Sequence, residues 1–266
     1  DSLMQGYPIG SFLFWSVERE HVRQYKFYDF VRDYHQKLRP HCPPVDVPAG
    51  QAVIAVLDGQ QRLTALNIGL RGSHAQKEPR KWWSSPDAFP EKRLYLNIAA
   101  NADDNEGGLT YDFRFLSEGR VQHSDGHHWF RVGHILELAD ATEIFEYIQD
   151  AGLATSKHAF KTLNRLHAVV HGERLIAYFE ETSQDLDKVL NIFIRTNSGG
   201  TVLSYSDLLL SIATAQWDHL DARKEIHGLV DELNATRFGF ALSKDFVLKA
   251  GLMLADIGSV GFKVTN

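Results

Sequence analysis

The sequence predicts an α+β protein with a small mixed sheet, followed by a mainly helical C-terminal part. The first indication is the run of five apolar residues from Val53 to Leu57, which is typical of a strand buried on both faces. The second is the recurrence of Leu63, Leu66 and Leu70 at helical spacing directly after that run. The third is the change to helical patterns from Thr142 onward.

The composition is that of a folded protein, with 266 residues of which 44% are hydrophobic and 23% charged. Cys42 is the only cysteine, which excludes an internal disulfide and predicts a reducing, cytoplasmic location. No apolar run approaches the ~18 residues of a membrane helix. The net charge of −6 disfavours nucleic-acid binding by bulk charge and leaves room for a local basic patch.

Two elements are predicted ahead of the apolar run. The aromatic segment Ser11 to Trp15 follows a Gly-Tyr-Pro-Ile-Gly turn, which predicts a strand. A helix is predicted next, because large apolar residues recur at helical spacing until Pro40 closes the pattern. The apolar stripe of this helix consists of Phe27, Phe30, Val31, Tyr34 and Leu38.

The segment 71–93, which follows the helix predicted from Gln60 to about Arg71, is locally basic. It carries six lysine or arginine residues against three carboxylates, with Trp82 and Trp83 in the middle. Exposed aromatic side chains in a basic segment can stack nucleic-acid bases. Tryptophan is usually well buried, however, so a surface loop whose tryptophans pack on the core is the simpler interpretation.

The remainder of the chain predicts further strands and then helices. A histidine-rich loop between them (His123, Asp125, His127, His128) lacks a fixed metal-ligand spacing, and a solvated loop is the simpler interpretation. Ser156, Ser243 and the pair Ser204 and Asp207 are predicted helix caps. The predicted strands are 94–98, 111–116 and 175–179, and the predicted helices are 142–148, 157–170, 186–197, 205–215, 221–235 and 244–255.

The turn between the apolar run and the next helix, Asp58 to Arg62, is the principal candidate site. A capping box of Asp58 and Gln61 would explain it without any ligand. The alternative is a phosphate site, because a helix N-terminus attracts anions, Gly59 permits close approach, and Arg62 is suited to phosphate oxygens. Gln60 and Gln61 would add neutral donors, and Asp58 could hold Mg²⁺. No Walker A loop or dinucleotide fingerprint is present.

A second candidate is the segment Asn197, Ser198, Gly199 and Gly200, between two predicted helices. A helix C-cap explains one of its glycines. A glycine-rich turn can also present backbone N–H groups and the Asn197 amide to a ligand. This second signal is weaker than that of Asp58–Arg62.

Three stretches of the chain resemble the N-terminal domain of GmrSD-type restriction endonucleases, in the order in which that family has them. They are Leu57-Asp-Gly-Gln-Gln-Arg-Leu-Thr-Ala-Leu66, Gly6-Tyr-Pro-Ile-Gly-Ser-Phe-Leu-Phe-Trp15, and residues 191–208 around Asn197-Ser-Gly-Gly200. The family usually carries a Gln-Arg-x-Tyr-x-Trp segment upstream of the early strand. The chain begins after that segment, at Asp1, so we expect further residues upstream.

The resemblance implies a ParB/sulfiredoxin-like core that binds, and in several members hydrolyses, a nucleoside triphosphate such as GTP or ATP with Mg²⁺. It implies a place in anti-phage systems that restrict modified DNA, beside a His-Asn-His-type nuclease domain or subunit, a signature not found in this chain. Asp58, Gln60, Gln61 and Arg62 would be catalytic, Asp58 would also bind the metal, and Gly59 with Asn197, Ser198, Gly199 and Gly200 would bind the nucleotide.

Two further hypotheses stay open. The chain could be a non-catalytic ParB-like DNA-binding or sensor module that uses segment 71–93, or a fold element that supports a partner nuclease. The predicted division is a ParB-like nucleotide-binding domain over residues 1–215 and a helical extension over 216–266.

Overall fold

The computed structural model describes residues 1–102, 108–124, 126–197, 210, 217, 219–236 and 240–255. Within them the fold is α+β, as predicted, with several small sheets and helices towards the C-terminus. The strands are β1 (Ser11–Val17), β2 (Phe27–Tyr28), β3 (Asp33–His35), β4 (Pro44–Val45), β5 (Val53–Asp58), β6 (Ser73–Ala75), β7 (Arg93–Asn101), β8 (Tyr111–Leu116), β9 (Trp129–Arg131) and β10 (Ala177–Glu181). The helices are α1 (Gln60–Arg71), α2 (Ala141–Asp150), α3 (Lys157–His167), α4 (Leu186–Asn197), α5 (Ala222–Ala235) and α6 (Lys244–Leu254).

The strands form four sheets. Two have three strands, in the orders β10–β1–β5 and β8–β7–β9, and two are the pairs β2–β4 and β3–β6. The pair β3–β6 is parallel, with Tyr34 opposite His74, whereas β7 pairs antiparallel with both β8 and β9. The sequence predicted one small mixed sheet, and the described residues instead distribute the strands over several.

The helix predicted over Phe27 to Leu38 is wrong. This segment contains the short strands β2 and β3, and its backbone bonds to distant residues. The Asp29 N–H donates to the Pro43 carbonyl at 2.9 Å, and the Ser73 N–H donates to the Arg32 carbonyl at 3.2 Å. The apolar spacing matches a helix, but pairing with β4 and β6 satisfies the backbone groups instead.

The strand predicted at 53–57 is confirmed, but its burial on both faces is not. β5 is the outer strand in the order β10–β1–β5, and the Ile54 side chain is 63% exposed. The other strand predictions are confirmed with small shifts in their bounds, and so are the helices α1 to α6. The helix predicted at 205–215 and its capping box lie outside the described residues, apart from Leu210.

The chain divides into two compact units. The first comprises Asp1–Phe14, Phe27–Asp46 and Gly59–Phe179, and the second comprises Trp15–Lys26, Val47–Asp58 and Glu180–Asn266. The domain boundary predicted near residue 215 falls on residues outside the described part and stays a prediction.

The core of the first unit lies between β7 and helices α2 and α3. Leu96 and Ile98 of β7, Ile144 of α2 and Leu163 of α3 are completely buried and belong to one hydrophobic cluster. α3 begins where predicted, because the Ser156 hydroxyl accepts the Ala159 N–H at 3.1 Å. This core supports α1, whose C-terminal turn packs closely: a Cβ at Gly133 would lie 2.4 Å from the Leu70 carbonyl oxygen.

The second unit contains β5, α4, α5 and α6. α4 packs against β5, and α5 packs against α6. The Trp15 indole is buried and donates to the Ser183 carbonyl at 2.8 Å. The Lys188 ammonium lies 3.0 Å from the buried carboxylate of Glu181, whose pKa is lowered by the Ser183 backbone N–H and by Lys188. None of the described helices combines the length and the apolar character that crossing a bilayer requires.

Candidate functional site

The turn Asp58–Arg62 joins a strand directly to a helix. β5 ends at Asp58, α1 begins at Gln60, and Gly59 between them has φ 92° and ψ 7°. An L-residue with a side chain rarely adopts this left-handed conformation. Space excludes a side chain as well, because a Cβ at Gly59 would lie 2.2 Å from Cδ1 of Phe12. Glycine is therefore required here by conformation and by packing.

The predicted capping box does not form in its predicted register. It requires Asp58 at the N-cap of α1, and the N-cap is Gly59, which has no side chain to accept a hydrogen bond. Asp58 instead ends β5 and is half-buried. The first helical hydrogen bond runs from the Leu63 N–H to the Gly59 carbonyl at 3.0 Å.

Arg62 anchors the turn that precedes β1. Its Nη1 donates to the Ile9 carbonyl at 2.8 Å, and its guanidinium carbon lies 4.6 Å from the centre of the Phe12 ring. Gly10, with φ 85°, approaches so closely that a Cβ there would lie 2.4 Å from the same Nη1. The half-buried guanidinium is thus held by a carbonyl oxygen, an aromatic ring and a glycine.

These contacts bring together two of the three sequence stretches that carry the resemblance. Gly10 and Phe12 of the early stretch pack on Gly59 and Arg62 of the turn. Sequence reasoning assigned no site role to Gly10 or Phe12. The sequence signal for them is modest: a glycine follows a Pro-Ile pair, and an aromatic residue alternates along β1.

A family model for the N-terminal domain of the GmrSD restriction endonuclease matches residues 1–214. The chain belongs to this family. No curated protein matches the chain.

The GmrSD match includes the turn Asp58–Arg62, the early stretch from Gly6 to Trp15, and the stretch around Asn197. It ends before α5 and α6. The family places this chain among restriction endonucleases as an N-terminal domain, which confirms the predicted family.

The second predicted cluster lies at the end of α4. Asn197 is the last residue of that helix, in the second unit, and its side chain lies outside the described residues, as do Ser198, Gly199 and Gly200. Their predicted role at a nucleotide site therefore stays a prediction.

The other predicted site residues differ in exposure. Gln60 and Gln61 are exposed on the first turn of α1, whereas Gly59 is buried. The described residues contain no group of three or more His, Cys, Asp or Glu side chains that could hold a metal ion. Asp58 therefore supplies a single carboxylate at the turn and, within the described part of the chain, is not one of a larger set of metal ligands.

The histidine-rich loop also contains no such group among its described residues, which leave out Asp125. The rings of His123 and His128 lie 4.2 Å apart, and the His123 Nδ1 accepts the Trp129 N–H at 3.3 Å. Burial, and then the neighbouring His123, lower the pKa of His128. Ring contacts and backbone hydrogen bonds hold the histidines of this loop.

Proposed function

We propose that this domain binds a nucleoside triphosphate, GTP or ATP, at the turn Asp58–Arg62 and hydrolyses it. The domain would act, on a ParB/sulfiredoxin-like core, as the regulatory part of an anti-phage restriction system that cleaves modified DNA. The observation that carries the proposal is the junction itself: a strand end, a left-handed glycine and a helix start follow one another without an intervening residue.

This junction has the features of a phosphate site. The first turn of a helix directs backbone N–H groups and the positive end of the helix dipole outward. α1 is 12 residues long, so its dipole is well developed. Gln60 and Gln61 are exposed on that turn, where a ligand can reach them. Their amides could donate to phosphate oxygens or orient an attacking water.

Arg62 supplies a cation that is already held in position. A guanidinium carries five N–H donors in a fixed plane, and the bond to the Ile9 carbonyl uses one of them. Phe12 supports the face of this plane. A preorganised cation stabilises the charge that develops on the phosphates without reorganisation during the reaction. The anchoring contacts thus suit a role in phosphoryl transfer.

Mg²⁺ fits this site as a companion of the nucleotide. The ion is usually held by one or two carboxylates together with substrate phosphates, and Asp58 offers one carboxylate at the turn. When bound, Mg²⁺ would neutralise charge on the phosphates. Asn197, Ser198, Gly199 and Gly200 are the proposed second source of donors to the nucleotide.

The test measures nucleotide affinity and phosphate release with ATP, GTP, CTP and UTP in the presence of Mg²⁺. Arg62→Lys keeps the charge but loses the forked geometry, and we expect at least tenfold weaker binding of a non-hydrolysable analogue. Asp58→Asn should retain binding without Mg²⁺ and lose phosphate release. Gln61→Ala, on an exposed position away from the Ile9 anchor, should slow release with little change in affinity.

Matched controls separate the site from general effects. Arg71→Lys lies at the other end of α1, and Asp46→Asn is an exposed carboxylate outside the turn. Both should behave like the wild type, and thermal unfolding checks that every variant is folded. An affinity of Arg62→Lys and a rate of phosphate release by Asp58→Asn that equal those of the controls would contradict the assignment of the turn.

A second candidate function is a non-catalytic DNA-binding or sensor module that partners a nuclease domain or subunit. Trp82 favours it, because this side chain is 81% exposed in the basic segment 71–93, contrary to the expectation that both tryptophans are buried. DNA binding without any nucleotide turnover by the wild type would support this candidate over the first.

A further inference from the structure

Two loops of the first unit form a surface that exposes large apolar side chains. Trp82 is 81% exposed, Leu38 69% and Trp83 41%. We call this surface, formed by residues 35–39 and 77–92, the Trp82 surface. Exposed apolar groups of this size, when concentrated in neighbouring loops, mark an interaction site. The two loops lie apart in the sequence, so segment 71–93 alone does not reveal this surface.

The two loops are held together by specific contacts. The Lys77 N–H donates to Oε1 of Gln36 at 2.8 Å, and the Lys37 ammonium donates to the Trp83 carbonyl at 3.4 Å. Phe89 lies between them, because its ring stacks on His35 and meets the Trp83 ring edge-on, each with centres 5.1 Å apart. Trp83 therefore helps to hold the two loops of this surface together.

Trp82 is presented from a hydrogen-bonded turn. The Ser85 N–H donates to the Trp82 carbonyl at 3.0 Å, and Ala88, in the same loop, is completely buried. The backbone of the loop is thus fixed while the indole faces solvent. An indole in this position offers a flat, rigid face to a ligand.

The two loops are rich in cationic side chains. The two loops carry six lysine or arginine residues against three carboxylates, whereas the net charge of the whole chain is −6. The carboxylates have cationic partners: Glu78 lies 3.4 Å from Lys92 and 3.2 Å from Arg120, and Asp87 pairs with Lys81. Lys37, Arg39 and Arg80 are exposed. The surface therefore attracts anions although the chain as a whole is acidic.

Arg80 has an unusual backbone conformation. Its φ of 65° makes it a non-glycine residue in the left-handed region. Such a conformation costs free energy and is concentrated at functional sites. Arg80 lies two positions before Trp82 in the same loop.

We propose that the Trp82 surface binds a DNA strand with an unstacked base. Trp82 stacks on the base, and Arg80, Lys37 and Arg39 contact the phosphates on either side. An aromatic face beside cations is the combination that single-stranded nucleic acids use, whereas bases within an intact duplex are already stacked on each other. The choice of DNA over RNA rests on the proposed role in DNA restriction, but the surface does not depend on nucleotide binding at Asp58–Arg62.

The test is fluorescence anisotropy with a labelled single-stranded 20-nucleotide DNA, its duplex and the RNA of equal sequence. Each is titrated with and without ATP or GTP, so that the affinity for DNA can be measured even if the domain binds no nucleotide. We expect the wild type to prefer the single strand to the duplex. Trp82→Ala should weaken single-strand binding at least tenfold, and Trp82→Phe should retain most of the affinity.

Arg80→Ala provides an independent measurement. Removal of one phosphate contact to a single strand should lower the slope of log affinity against log salt by about 0.7. Trp217→Ala and Arg23→Ala replace exposed residues of the second unit and are the matched controls, with affinities expected within about twofold of the wild type.

Three outcomes overturn the proposal. The first is a Trp82→Ala variant that is folded, by thermal unfolding, and binds the single strand as tightly as the controls. The second is tighter binding of the RNA than of the DNA. The third is no measurable affinity for single-stranded DNA with or without nucleotide, which assigns the exposed indole to another partner, such as a protein.

Discussion

Single residues fix the geometry of the candidate site, and Gly59 is the clearest example. A residue in the left-handed region is strained if it has a Cβ, and at Gly59 that Cβ would also overlap the Phe12 ring at 2.2 Å. Backbone strain and steric overlap can be separated experimentally, because other glycines of the same unit have the left-handed conformation without the overlap.

We predict that Gly59→Ala destabilises the protein more than Gly152→Ala does. Gly152 has φ 72° but no heavy atom within 4 Å of its ideal Cβ, so alanine there costs the backbone term of about 1 kcal/mol. At Gly59 the overlap with Phe12 adds about 1–3 kcal/mol of overpacking. Denaturant unfolding of the two variants measures the difference. Equal losses of stability would show that the Phe12 ring moves aside without a cost in free energy.

At the scale of elements, the pairing of β3 with β6 partly buries a titratable ring. His74 of β6 stacks on Tyr34 at 5.1 Å and contacts Phe115 at 5.3 Å. Its backbone exchanges hydrogen bonds with Lys92 at 2.8 and 3.0 Å. Burial, followed by the charge of Lys92, lowers the pKa of His74 below that of an ordinary imidazole. The folded state therefore disfavours the imidazolium.

This lowered pKa gives a pH dependence of definite sign. The unfolded chain binds a proton to His74 at higher pH than the folded chain does. The contribution of the neutral imidazole to the free energy of unfolding is therefore fully present above about pH 6.5 and is lost as the pH falls below that value. We expect the wild type to lose more thermal stability between pH 7.5 and 5.5 than His74→Gln loses. His219→Gln, at an exposed position, is the control and should follow the wild type.

At the scale of the whole molecule, the five tryptophans divide by exposure. Trp15 and Trp129 are buried at 5% and 8% exposure, Trp83 and Trp217 are exposed at 41% and 43%, and Trp82 is the most exposed at 81%. Collisional quenching of the fluorescence reports this distribution directly, because the quencher reaches only rings that are open to solvent.

We predict opposite effects of two tryptophan replacements on quenching by acrylamide. Trp82→Phe removes the most accessible emitter and should lower the accessible fraction of the fluorescence. Trp129→Phe removes a buried emitter and should raise it. An unchanged accessible fraction in Trp82→Phe would mean that the indole is covered in solution, and the Trp82 surface would then be occupied by protein.

The sequence predicted the helices and strands of this chain better than it predicted which strands pair. α1, α3 and α4 follow from apolar spacing, and the caps Ser156 and Ser243 follow from residue type, since each depends on contacts within a few residues. The segment 27–38 could not be predicted in this way. Its apolar spacing fits a helix, and only its pairing with β4 and β6 makes it extended.

The sequence by itself determined the family and the local form of the junction Asp58–Arg62: a strand, a turn containing glycine, and a helix. Tertiary structure decided what holds that junction. Arg62 reaches a carbonyl 53 positions earlier in the chain, and the Gly59 backbone lies against Phe12. Local patterns encode local hydrogen bonds, whereas contacts at such separations depend on the path of the whole chain, which a single sequence does not display.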